Sequence, residues 1–151
     1  MTSASLVPVG AVHWDHAAWR GSFYPEGLPD DWMLSYYNTQ FQAVWLPAST
    51  WQAASAATWG QWLDDTQESF SFVLEPGQGG ATPPDSPRVV LATPDWVDTH
   101  VWWIDEAPDL RALAQRITEQ ARRGEPLFVF SRGGDVALLE QVNTLKQVMG
   151  Y

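Results

Sequence analysis

The residues 13–16, His13-Trp14-Asp15-His16, form the one cluster in the sequence that combines metal-type and acid–base side chains. In an extended segment His13 and Asp15 project to the same side, and His16 can fold in from the loop that follows. Two imidazoles and a carboxylate suit zinc or iron with positions left open. The same set suits a general base, His13 or His16, oriented by Asp15. A metal motif would add a helix-spaced pair or a distant fourth ligand, and neither is visible. His100 begins a later strand candidate and so falls at the opposite end of a parallel sheet. Ser22 and Tyr24 are the nearest nucleophile candidates, with no motif around them. The competing reading is a polar loop whose histidines are satisfied by backbone groups, so no metal and no other cofactor is expected.

A second cluster, Ser131-Arg132-Gly133-Gly134-Asp135, lies between a strand and a helix. Glycines let backbone N–H groups approach an anion, the helix start adds positive potential, and Arg132 would supply a guanidinium fork. Against that, Asp135 is placed to cap the helix and would compete for the same N–H groups. Arg20, the sole base among residues 1–87, could hold a carboxylate or phosphate, pair with Asp15, or stack on an aromatic ring. A small anionic ligand would therefore meet Trp14, Trp19, Arg20, Tyr24, Arg132, Gly133 and Gly134 at the C-terminal ends of the first and last strands.

These side chains need a scaffold. Residues 7–14, 43–46, 70–74, 88–91, 100–104 and 127–130 read as strands, several of them continuous apolar runs. Helices are expected from Asp30-Asp31 to about Phe41 and over 55–63. The clearest helix carries Leu110, Leu113, Ala114, Ile117 and Ala121 at helical spacing, with Gly124 just past its end. A last helix buries Leu138, Leu139, Val142, Leu145 and Met149. Thr93-Pro94-Asp95 reads as a turn, and residues 76–87 (PGQGGATPPDSP) as a loop. The alternation implies an α/β fold with a largely parallel sheet, while 151 residues fall short of the ~200 that a complete eight-unit barrel needs.

Composition narrows the function classes. No apolar run approaches the ~18 residues of a spanning helix. Residues 1–5 carry no Lys or Arg, which argues against a secretory signal. There is no cysteine, hence no disulfide, thiolate metal site or cysteine nucleophile, and a cytoplasmic location is the default expectation. The net charge is −10, and residues 1–75 hold eight acids and one base. Such a surface disfavours nucleic acid and anionic membranes. Ten tryptophans in 151 residues point to packing, pockets or interfaces.

Residues 10–28, GAVHWDHAAWRGSFYPEGL, resemble the opening of the YecE-like proteins, domain of unknown function 72. Gly10, Trp14, Trp19, Gly21, Phe23, Tyr24, Pro25, Gly27 and Leu28 match that family's pattern, and Tyr36, Tyr37 and Phe41 resemble its next helix. The resemblance implies a barrel-like fold and no stated activity. His13 stands at a glycine of the pattern and His16 at a tyrosine. The family's glutamate and asparagine in the second strand become Trp45 and Pro47, and a lysine in the third becomes Glu75. A tyrosine-x-arginine strand becomes Val101-Trp102-Trp103, and F-N-N becomes Phe130-Ser131-Arg132. The family's middle section has no counterpart beyond residues 76–87.

The expectation is a single domain over 1–151: a shortened TIM-barrel-like parallel sheet of five or six strands with helices outside. The first and last strands should pair, leaving two edges between the third and sixth. Lost strands would expose Trp45, Trp102 and Trp103 as an interface, which favours a homodimer or another protein partner. Binding without catalysis is the leading reading, and a small enzyme or anion-binding domain using His13, Asp15 and His16 the alternative.

Overall fold

The computed structural model describes residues 6–79 and 82–151; residues 1–5 and two positions of the 76–87 loop lie outside the described residues. Six short strands alternate with helices: β1 (Val9–Ala11), α1 (Met33–Gln40), β2 (Ala43–Leu46), α2 (Ala48–Ala53), α3 (Ala56–Asp64), β3 (Ser71–Leu74), β4 (Val89–Leu91), α4 (Pro94–His100), β5 (Val101–Trp103), α5 (Leu110–Arg122), β6 (Phe128–Ser131) and α6 (Val136–Val148). Every strand pairing is parallel, in two three-stranded sheets ordered β1-β6-β5 and β2-β3-β4. The fold is thus α/β with six strands, and the first and last strands pair as expected. No pairing joins β4 to β5, so both are edges and no closed barrel forms among the described residues.

The two sheets meet at β1 and β2 through the Tyr37 side chain and flanking bonds. The Tyr37 hydroxyl accepts from the Ala11 amide at 2.8 Å and donates to the Ala43 carbonyl at 2.7 Å, spanning a gap where a direct backbone bond would otherwise run. On either side, the Gln42 amide donates to Val9 and the His13 amide to Trp45. Tyr37 is fully buried, and burial pushes its phenol above the ordinary value, so it stays a neutral donor and acceptor.

Alternation along the strands sorts the core into two clusters. Val9, Ala11, Val44, Leu46, Phe72, Leu74 and Val129 pack beneath α1, α3, α5 and α6. On the opposite face Ala43, Trp45, Val73, Val101, Phe128 and Phe130 form a smaller aromatic cluster. Two short helices escape the sequence reading. α2 occupies residues left unassigned, and α4 replaces the expected turn at Thr93-Pro94-Asp95 and the start of the expected strand at His100. Pro94 in the first turn and Asp95 beside it suit a helix start, but seven residues are too few to show a period. α4 also corrects the expectation that all helices lie outside: Trp96 and Val97 pack on the aromatic cluster, with Trp96 5.2 Å from Phe128. A sheet exposing an apolar second face needs cover, and α4 supplies part of it.

The caps follow the sequence. Ser55 accepts from Thr58, Asp109 from Arg111 and Ala112, and Asp135 from Leu138, each satisfying helix-start amides. Gly124 closes α5 at φ 67°. The chain after the 76–87 loop is anchored by Arg88, whose guanidinium bonds the carbonyls of Leu63 and Phe70 and the hydroxyl of Thr66. One buried residue was not foreseen: Lys146, in the inner stripe of α6, donates to the Val7 carbonyl at 2.8 Å and to Gln42 Oε1 at 2.7 Å. With no carboxylate beside it, burial lowers its ammonium to about 8. None of the described helices is long and apolar enough to cross a membrane.

Candidate functional site

The loop after β1 and the turn before α6 meet at the C-terminal ends of β1 and β6. Trp19, in a short 3-10 turn (Ala17–Trp19), donates its indole N–H to the Gly134 carbonyl at 2.9 Å. His16 lies against the same glycine: a Cβ at Gly134 would fall 2.8 Å from the imidazole Cε1, and Gly134 has φ 67°. Only glycine meets both demands there. The Trp19 ring packs on His16, Phe23, Tyr24 and Tyr37, which makes the loop an aromatic wedge on the end of the sheet.

Each polar candidate is engaged. His13 adopts φ 62°, the left-handed region that favours glycine, in line with the glycine of the family pattern at this position. Its Nδ1 accepts from the amides of Trp14 and Asp15 at 2.8 and 3.0 Å, a turn closed by its own side chain. Burial lowers its pKa, against the opposing pull of Asp15, which keeps the ring neutral as that acceptor role requires. His16 donates from Nε2 to the Val12 carbonyl at 2.6 Å, leaving Nδ1 as an acceptor. Asp15 is exposed and faces Arg20 at 3.4 Å, and Arg20 also holds Asp30 at 3.0 Å, so Arg20 is an ion-pairing residue. Tyr24 donates to the Trp14 carbonyl at 2.6 Å, and Trp14 packs edge-on to Trp62. Among the described residues no three His, Asp or Glu side chains gather as a metal-holding group.

The Ser131–Asp135 turn is equally occupied. The Gly133 amide donates to the Asp105 carboxylate at 2.8 Å, the Asp135 amide to the Ser131 hydroxyl, and Asp135 caps α6 as anticipated. A carboxylate of the protein thus already sits where an anion would bind. Arg132 turns away, paired with Glu106 at 3.2 Å and lying 3.7 Å over the Trp103 ring. His16, Trp19, Gly133 and Gly134 do share a cavity of about 660 Å³, whose walls include Asp135 and Glu140. His13, Trp14, Arg20, Tyr24 and Arg132 do not line it.

The three tryptophans read as an interface divide between the two faces. Trp45 is 7% exposed within a single chain, edge-on to Trp103 at 5.0 Å and to Phe130 at 5.9 Å. Trp103 is half-buried beneath Arg132. Trp102 points to the other side, its indole donating to the Ala107 carbonyl at 3.0 Å. The tryptophan that stands in solvent is one sequence reasoning passed over, Trp32, at 64% exposure. A helical projection could have found it, because Leu34, Tyr37 and Phe41 form the buried stripe and Trp32 falls outside it.

Residues 8–79 match the family model described as "Protein of unknown function DUF72". No curated protein matches the chain. Among solved structures the chain is similar to a DUF72 family protein from Thermotoga maritima, at 20% identity and a TM-score of 0.40, over 82% of this chain and 42% of that one. The chain therefore spans less than half the length of that relative. The loop and wedge described above fall within residues 8–79, the stretch that is similar to the DUF72 family of proteins of unknown function.

Proposed function

We propose that this chain is a degenerate YecE-like protein that works by binding rather than by catalysis. Its sheet is read as a shortened TIM-like barrel opened between β4 and β5, and its occupant as a second copy of itself. The strand order around β4-β3-β2-β1-β6-β5, with β1 and β2 linked by Tyr37, supports the opened-barrel reading. The observation that carries the binding reading is the occupancy of the strand ends. The candidate imidazoles, guanidiniums and turn amides are held by protein partners, and the place of the family's polar residues is filled by Trp45 and Trp103. A catalytic set needs free groups converging on one reacting atom.

Self-association is supported by two unpaired parallel edges, by the half-buried Trp96 and Trp103 beside them, and by Leu91, 44% exposed on β4. A contact of about 800 Å² per subunit would cover this region. A cytoplasmic setting belongs to the same reading. Sedimentation equilibrium at micromolar concentration should give a mass rising toward twice 16.9 kDa, and Leu91→Lys should return it to the monomer. A single, concentration-independent mass of 16.9 kDa overturns the dimer.

The cavity at His16, Trp19 and Gly134 favours a second reading, a site for a small anionic compound. Asp135 and Glu140 in its walls work against an anion. Titration with inorganic phosphate, read at the Gly133 and Gly134 amide resonances, tests it: saturable shifts at millimolar phosphate would favour this reading over the first.

A further inference from the structure

A different face carries a groove beside an exposed tryptophan. Of the ten tryptophans, Trp32 alone is classed as exposed; the others are buried or half-buried. It ends a 3-10 turn (Asp30–Trp32) and borders a groove of about 420 Å³ between that turn and the end of α3. Leu28, Asp31 and Tyr36 form one wall with Trp32, and Gln61 and Asp65 the other. Trp32 and Tyr36 are four residues apart across the start of α1, the spacing that sets side chains on one face.

Asp31 and Asp65 of this groove take part in no ion pair among the described residues, whose ion pairs use Asp15, Asp30 and Glu106. The Asp65 carboxylate accepts from Gln61 Nε2 at 2.8 Å, and its backbone carbonyl accepts from the Ser35 hydroxyl at 3.1 Å. α3 ends in Asp64 and Asp65 with no base in its own last turn, so two carboxylates sit at the negative end of the helix dipole. Arg88 meets that end at the Leu63 carbonyl and the Thr66 hydroxyl and forms no ion pair with either carboxylate. Arg20, the one base in residues 1–75, is already shared by Asp15 and Asp30. Aromatic faces and carboxylates together select a cation with an apolar stem, since the ring attracts the charge and the groove wall accepts the methylenes.

We propose that the groove formed by Leu28, Asp31, Trp32, Tyr36 and Asp65 seats a lysine or arginine side chain of a basic partner protein, its stem along Trp32 and its charged head between the two carboxylates. The net charge of −10 favours encounter with such a partner. None of the residues that line the groove belongs to β4 or β5, so its test reads a different set of residues from self-association.

The probe is a short acetylated peptide alternating glycine with lysine and arginine, and its counterpart carries glutamate at the basic positions. Chain labelled with 5-fluorotryptophan is titrated and read by fluorine NMR, with the Trp32 signal assigned by Trp32→Phe. The basic peptide should shift that signal saturably, and the glutamate peptide should not. Asp31→Asn combined with Asp65→Asn should weaken binding at least fivefold, as should raising the salt to about 0.5 M, where screening shortens to a few ångströms. Trp32→Ala, followed through peptide amide resonances, should do the same. All the altered side chains are exposed or at a groove margin, and an unchanged melting temperature verifies the fold. A Trp32 signal unmoved at millimolar peptide, equal response to the glutamate peptide, or undiminished binding by the aspartate variant overturns the proposal. Shifts confined to other tryptophans also overturn it.

Discussion

The two faces of the sheet solve the same burial problem in different ways. One face is covered by α1, α3, α5 and α6 and packs a larger cluster of aliphatic and aromatic residues under them, Trp14, Trp19, Trp51 and Trp59 included. The other is covered by its own tryptophans and phenylalanines and by a single seven-residue helix, α4. In a closed barrel the interior fills itself from all sides. Here β4 and β5 are edges among the described residues, and large side chains fill this face. Trp45 and Trp103, which stand where the YecE-like pattern has polar residues, are among them.

The strongest way to break this comparison is Trp45→Ala. If the aromatic face is a core of the single chain, the truncation should cost about 3–5 kcal/mol, measured by urea unfolding, at every protein concentration. A loss that appears only at high concentration would mean that the face is completed by a second copy instead. Next in size is Tyr37→Phe, which acts on both faces because it removes the hydroxyl linking β1 to β2. Leaving the buried Ala11 amide and Ala43 carbonyl without that partner should cost about 2–4 kcal/mol. A change below about 0.5 kcal/mol, the size of an ordinary surface substitution, would show that the two sheets are held by the flanking backbone bonds alone.

Lys146 sharpens the comparison from the helical side. Its folded pKa, about 8, lies below the ordinary 10.5. Between these values the unfolded chain keeps a proton that the native chain releases, so stability from this group rises with pH, by at most about 1.4 kcal/mol per pH unit. The gain is present above 10.5 and lost as pH falls through 8. Tyr37 and Tyr24 act oppositely above pH 10, because their raised folded values oppose ionisation in the native state. Denaturation midpoints taken from pH 7 to 10 should climb in the wild type and stay flatter in Lys146→Met. A parallel pair of curves would assign the slope elsewhere. The smallest effect is expected at His13. His13→Gly relieves a left-handed backbone but gives up the bonds to the Trp14 and Asp15 amides, so stability should change by less than about 1 kcal/mol. His13→Ala keeps the strain, loses the bonds and should be the worse of the two. Equal stabilities would separate the φ 62° backbone from any preference for glycine.

Much of the scaffold is legible in the residues themselves. β2 spans 43–46 as read, α5 starts at Leu110 and closes at Gly124, and Asp135 caps α6, because period, caps and glycine act over a few neighbours. The family is legible too, since the glycines and aromatics of residues 10–28 are constrained locally by the loop they form. α2 and α4 were not, because six and seven residues carry too little periodicity to outweigh Pro47 and Pro94. Lys146 looks like a solvated base until the carbonyls of Val7 and Gln42 are brought to it from over a hundred positions away.

The functional candidates divide in the same way. Their identities and the ends of the strands they occupy follow from sequence, but whether a donor is free does not. Asp105 reaching Gly133 across 28 residues, Glu106 reaching Arg132 and Trp19 reaching Gly134 across 115 all decide that question, and each is a contact between distant elements. Local free energies select helices, turns and caps, so they can be read from neighbours. Saturation of a polar group and the exposure of Trp32 depend on what the folded chain places beside them, which only the tertiary structure decides.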